Sequence, residues 1–131
     1  MKTFAVRLVE GDDLLLEINK LAQKHEIEAG VVLSAVGSLG KSKIRLPVLN
    51  GKEQYITPEN LEIDSLQGTI SKNGCHLHIT VSDSEGKAFG GHLKEGCIVR
   101  TTCEMVIGTL ENTKFSRESD KTTGFDELKV E

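Results

Sequence analysis

The sequence predicts an α/β fold, α+β-like in layout: a largely antiparallel β-sheet of about six or seven strands with one main amphipathic helix packed on it. Three observations predict it. Apolar residues recur at helical spacing only between Asp13 and Lys24. In most other apolar stretches they alternate with polar residues, the period of a strand with one buried face. Tight turns join these runs, and tight turns favour antiparallel pairing.

The elements follow in order. Phe4, Val6 and Leu8 alternate with Ala5, Arg7 and Val9, which reads as an opening strand. Gly11-Asp12-Asp13 supplies a turn and a helix N-cap. Leu14, Ile18, Leu21 and Ala22 then give one helix from Asp13 to about Lys24, with His25 at its C-terminal end, where the dipole favours a cation. Gly30–Val36 is an apolar run that reads as a buried strand. Lys43–Val48 alternates, but Pro47 argues for a sheet edge. Leu61–Leu66 and Thr69–Ile70 read as short strands around Gly68. Asn50-Gly51, Asn73-Gly74 and Asp83–Gly86 are turn signals. Ile98–Leu110 is long and β-branched and reads as a central strand. The tail from Glu111 is polar, with Phe115 and Phe125 as its only large anchors.

The 131 residues form one domain, 1–131, with its core between about 4 and 130. Net charge is −4, and the densest basic cluster, Lys41, Lys43 and Arg45, is small. Proteins that bind DNA through phosphate neutralisation carry a broad basic face. Any DNA contact through these three residues is therefore expected to be weak, salt-sensitive and non-specific. No apolar run approaches the roughly 18–20 residues that span a bilayer, and the N-terminus reaches a charge too soon for a secretory signal. A cytoplasmic protein with no membrane partner is expected. The three cysteines, Cys75, Cys97 and Cys103, fit reduced thiols rather than a disulfide framework.

The stretch richest in chemistry is Cys75-His76-Leu77-His78, followed by Gly90-Gly91-His92. Three of the chain's 4 histidines fall here. His76 and His78 are spaced i, i+2 on a strand, so both rings point to one face, with Cα atoms roughly 6.5–7 Å apart. Gly90 and Gly91 are read as a turn or bulge in a loop that positions the site by bringing His92 in. A phosphate-cradling loop is excluded, because no Lys-Ser/Thr ending and no helix follow. Three neutral imidazoles suit zinc, or another divalent transition metal, with one coordination position left open. Asp83, Thr80 and Glu104 are candidate acceptors for the other ring N–H groups. Cys75 faces the opposite side of the strand and is a poor ligand.

Glu104 lies in an aliphatic strand and needs a charged or aqueous partner. Arg100, Arg7 and Arg117 are candidates for structural ion pairs with it. The sharper alternative makes Glu104 a catalytic general base beside a metal-activated water.

The ordered motifs resemble one family. Arg7-Leu8, Gly11-Asp12-Asp13-Leu14 and Val36-Gly37-Ser38-Leu39 are similar to the opening of the plants-and-prokaryotes conserved (PPC) domain. Leu61-Glu62-Ile63, Ser65-Leu66 and Gly68-Thr69-Ile70 resemble its middle signature. His76-Leu77-His78, Asp83, Gly86, Gly90-Gly91-His92-Leu93, Gly96 and Glu104 resemble its core, and Arg117, Asp120, Gly124-Phe125 and Leu128 its closing segment. The stand-alone prokaryotic type is the better match. The resemblance implies the fold above, a homotrimer, and the DNA-binding label the family often carries. Plant relatives touch DNA through an Arg-Gly-Arg-Pro AT-hook, a tetrapeptide this chain does not contain.

The expected function is thus a homotrimeric PPC-domain protein with a three-histidine metal site and a DNA-binding or regulatory role. The alternative is a metal-dependent enzyme of hydrolase or lyase type acting on a small-molecule ligand.

Overall fold

A computed structural model describes residues 1–131. The chain runs β1 (Lys2–Val9), α1 (Leu14–Lys24), β2 (Ala29–Lys41), β3 (Ile44–Arg45), β4 (Tyr55–Ile56), β5 (Leu61–Ser71), β6 (Gly74–Ser82), β7 (Ala88–Leu93), β8 (Ile98–Thr109), β9 (Phe115–Ser119) and β10 (Asp126–Val130). Eight strands form one sheet in the order β1-β8-β2-β5-β6-β7-β3-β4, and β9 and β10 form a separate hairpin. Every neighbouring pair is antiparallel. The expected architecture holds, with more strands than the alternation revealed.

One helix covers one face of the sheet. Asp13 is its N-cap: one carboxylate oxygen accepts from the Leu16 N–H at 3.1 Å, and the other accepts from the Gly96 N–H at 2.7 Å. The cap therefore satisfies a free helix donor and ties the helix start to the turn before β8. Leu14, Ile18 and Ala22 share one side of α1 and are buried. They join Leu77, Ile79 and Val81 of β6 and Cys103, Met105 and Ile107 of β8 in a single core. The Cys75 thiol, on the same side of β6, donates to the side-chain oxygen of Asn19 on α1 at 3.1 Å.

Three local readings are corrected. The region around Gly68 is one strand, β5, with a register shift between Ile63 and Ser65. Gly68 adopts φ 143°, and a Cβ there would collide with the His76 carbonyl. Strand pairing continues through this glycine because no other residue lets β5 and β6 approach so closely. Gly90 and Gly91 are not a turn either. They lie inside β7, paired with Thr80 and Ile79 of β6. A Cβ on Gly91 would come within 2.5 Å of the Arg45 carbonyl oxygen, so this glycine admits the β3 backbone. Finally, the polar tail folds as the β9–β10 hairpin. The Phe115 N–H donates to the Glu28 carbonyl at 2.9 Å, and the Phe115 ring is buried.

No helix is long and apolar enough to cross a membrane. All three cysteines are free thiols. Burial pushes the Cys75 and Cys103 thiols up to about 11, so neither supplies a thiolate near neutral pH.

Candidate metal centre

The site is built by register. Directly opposed residues on antiparallel strands share a face. Gln67 opposes His78, His78 opposes His92, and His92 opposes Arg45. One row across β5, β6, β7 and β3 thus carries two histidines and an arginine on the face away from α1. Thr69 opposes His76 one step along, on that same face. The strand alternation predicted for His76 and His78 places both rings outward, and the pairing of β7 with β6 supplies the third.

The three rings meet. The Nε2 atoms of His76 and His78 are 3.2 Å apart. One donor nitrogen from each of His76, His78 and His92 lies within 4.8 Å of the others. His76 stacks on His92 with ring centroids 5.1 Å apart, and His78 meets both edge-on. Two imidazoles on one tetrahedral zinc, each bound at about 2.0–2.1 Å, hold their nitrogens about 3.3 Å apart. The His76–His78 spacing fits that value, and the donor set is one zinc favours.

Burial and neighbouring positive charge favour the neutral form of two of the rings. Burial lowers the His76 pKa, and the Arg117 guanidinium and His78 lower it further. Burial, then Arg45, then the other two histidines push His92 down to about 4. A neutral imidazole is the form that ligates a metal.

The C-terminal hairpin forms a roof over this half of the face. The Asn73 side chain accepts from the Arg117 N–H at 2.8 Å and donates to the Arg117 carbonyl at 3.0 Å. The Arg117 guanidinium donates to Thr69 Oγ1 at 2.6 Å. Farther along, the Arg45 guanidinium carbon lies 6.0 Å from the centre of the Phe125 ring. An open cleft of about 380 Å³ results, with His76, His78, Arg117 and Glu127 among its lining residues.

The other expected residues sit elsewhere. Glu104 is exposed on β8, opposite Arg7 of β1 and Val36 of β2. Strands β2 and β5 separate it from β6, a span of about 14 Å, so within one chain its carboxylate does not join the histidines. It makes no ion pair with Arg7, Arg100 or Arg117. Asp83 is held in its own turn, accepting from the N–H groups of Glu85 and Lys87 at 2.9 Å. The three basic candidates do not form one patch. Lys41 is exposed, the Lys43 ammonium lies 4.7 Å over the Tyr55 ring, and Arg45 is buried beside His92. Sequence reasoning placed Arg45 at a DNA surface and Arg117 in a structural ion pair. Their position at the histidine centre depends on long-range register, which leaves no local signal.

Residues 1–111 match the Plants and Prokaryotes Conserved (PCC) domain. The chain belongs to this family. It is 40% identical over 131 residues to the bifunctional protein GlmU of Synechococcus sp. strain JA-3-3Ab, a match covering 100% of this chain and 21% of that protein. The chain therefore spans about a fifth of the length of the curated relatives it matches. A hypothetical protein from Salmonella enterica shares the fold at TM-score 0.91 and 35% identity, covering 99% of this chain and 93% of its own. A metal-containing protein from Archaeoglobus fulgidus superposes at TM-score 0.83 with 29% identity, over 98% of this chain and 94% of its own. A Bacteroides thetaiotaomicron protein named as a candidate DNA-binding protein shares the fold at TM-score 0.88 and 24% identity, over 97% of this chain and 91% of its own.

Proposed function

We propose that this PCC-domain protein is a cytoplasmic homotrimer that holds one zinc, or another divalent transition metal, on His76, His78 and His92 of each chain. One observation carries the reading: three imidazole donors converge within 4.8 Å on one sheet face. The metal content of the Archaeoglobus relative supports it. Free cysteines fit a reducing compartment. The trimer is supported by the apolar residues left bare on the same face at Leu33, Val36 and Val106.

Its role is binding or regulation, in a family with DNA-binding associations. DNA contact through the trimer surface is weak and non-specific, since Arg45 is buried and Lys43 lies against Tyr55. A second reading, a metal-dependent enzyme, draws on the cleft beside His76 and His78. Zinc held by His76, His78 and His92 would supply a Lewis acid. Glu104 would help only if assembly brought a neighbouring chain's copy to the cleft.

The deciding experiment is metal analysis by mass spectrometry on tag-free protein, beside a variant with all three histidines changed to alanine. About one transition metal per chain, absent from the variant, is the expected result. A wild-type protein that stays metal-free after zinc loading ends the metal reading. Sedimentation velocity on the same samples tests the trimer, and chelation tests whether assembly, turnover or DNA retention depends on the metal.

A further inference from the structure

Two arginines near the histidines lack an acidic partner. Arg45 is 9% exposed, and its guanidinium makes one hydrogen bond, a long one of 3.5 Å to the Leu46 carbonyl. Arg117 donates one guanidinium N–H to Thr69, while its Nε is buried with no partner. Neither lies within 4.0 Å of a carboxylate, and every ion pair of the molecule involves a lysine or the N-terminus. A buried guanidinium without a counter-charge is costly. Both charges act on His76: Arg117 lines the cleft with His76 and His78, and Arg45 stands behind it, opposite His92 in the sheet.

The rings do not supply the missing charge, because an imidazole side chain is either neutral or cationic. Zinc on the histidines would add further positive charge, against the single carboxylate, Glu127, among the cleft's lining residues. That arrangement calls for an anion. Guanidinium forks suit planar or tetrahedral oxyanions, which accept two parallel N–H bonds while another oxygen remains free. The cleft is open to solvent, so a small molecule can enter without displacing the core.

We propose that Arg45 and Arg117 form an oxyanion cradle around the three-histidine centre, so that the ligand this site takes is a small carboxylate or phosphate. The proposal rests on the metal reading above. It also assigns Asn73 and Thr69 a positioning task, since they hold Arg117 at the cleft through its backbone and its guanidinium.

The test uses full-length protein loaded with cobalt(II), whose visible absorption reports changes at the metal. Metal content is measured first and separately. Acetate, inorganic phosphate and uncharged acetamide are then titrated into wild type, Arg45→Gln, Arg117→Gln and Arg117→Lys. Either anion should perturb the spectrum where acetamide does not, and the preferred one identifies the carboxylate or phosphate class. Each glutamine variant should weaken anion binding about ten- to hundredfold at unchanged cobalt content. Arg117→Lys should recover part of the loss, since it keeps the charge but not the fork. Should Arg45→Gln fail to fold, the Arg117 pair decides alone, because Arg117 lies on the separate hairpin. Full cobalt loading with equal anion affinity in wild type and Arg117→Gln would overturn the cradle and leave the metal reading intact. No cobalt uptake by wild type overturns both.

Discussion

The outward face of the sheet is two different surfaces. Over β1, β8 and β2 it presents the exposed apolar side chains Leu33, Val36 and Val106, with Glu104 and Arg7 in the row of Val36. Over β5, β6, β7 and β3 it presents Thr69, His76, His78, His92 and Arg45 under the β9–β10 hairpin. The strand geometry is the same in both halves, and so is the rule that alternate residues point outward. What differs is what the chain does about it. The polar half is roofed by the chain's own C-terminus, and its residues are close enough to act on one ligand. The apolar half has no cover from its own chain. Alternation therefore tells which residues leave the core, and composition tells whether they await a ligand or another surface.

The largest effect should come from disturbing the strand pairing beneath the histidines. Gly68→Ala puts a Cβ against the His76 carbonyl at a backbone angle of φ 143°. A loss of about 3 kcal/mol or more is expected in urea unfolding, together with loss of metal. The control is Gly40→Ala on β2, where the new Cβ meets only Arg100 Cβ at 3.9 Å. That change should stay within about 1 kcal/mol of wild type. Equal effects at both glycines would mean that β5 does not set the site.

The next prediction separates the halves. Val36→Glu with Val106→Glu places charges on the bare apolar surface. If the proposed trimer forms through this face, sedimentation should show it falling to monomer, with assembly weakened about a hundredfold or more, while the metal bound per chain under zinc loading matches wild type. A double variant that stays trimeric would put the interface elsewhere.

Much of this was legible before any coordinates. The helix announced itself through Leu14, Ile18 and Ala22 and the Asp13 cap, all local signals. The histidine strand did the same, because i and i+2 on a strand share a face whatever lies beside it. The reading failed where structure depends on distant partners. Gly90-Gly91 looked like a turn, yet both lie within β7, and Gly91 serves the approach of β3, which is nearly fifty residues earlier in the sequence. The hairpin was missed because Ser116-Arg117-Glu118-Ser119 has no apolar alternation, and its order comes from Phe115, Asn73 and Thr69. Arg45 and Arg117 were noticed for their charge, but the β3 register and the Asn73 and Thr69 hydrogen bonds are what bring them to the histidine cluster.

A smaller effect should appear with pH in metal-free protein. The His92 pKa falls from its ordinary 6.5 to about 4 in the folded chain. Between those values the unfolded chain holds the proton and the folded chain does not. Stability contributed by His92 is therefore complete above pH 6.5 and is lost as pH falls toward 4. His76 shifts in the same direction. Melting temperature should drop more steeply from pH 6.5 to 5 in wild type than in His92→Gln, which has no proton to gain. Parallel curves would mean that burial and Arg45 do not act on this ring as described.

The smallest effect tests the roof itself. Asn73→Ala removes the paired bonds between its amide and the Arg117 backbone. Both bonds are exposed to solvent, so global stability should fall by only about 1 kcal/mol. The local consequence should be larger than the global one. Amide exchange at Arg117 and its β9 neighbours should accelerate, while β1, β8 and β2 stay protected, because the hairpin is a sheet separate from theirs. If β8 amides speed up equally, the hairpin and the sheet unfold as one unit, and the distinction between a roofed and a bare half would no longer describe how the molecule opens.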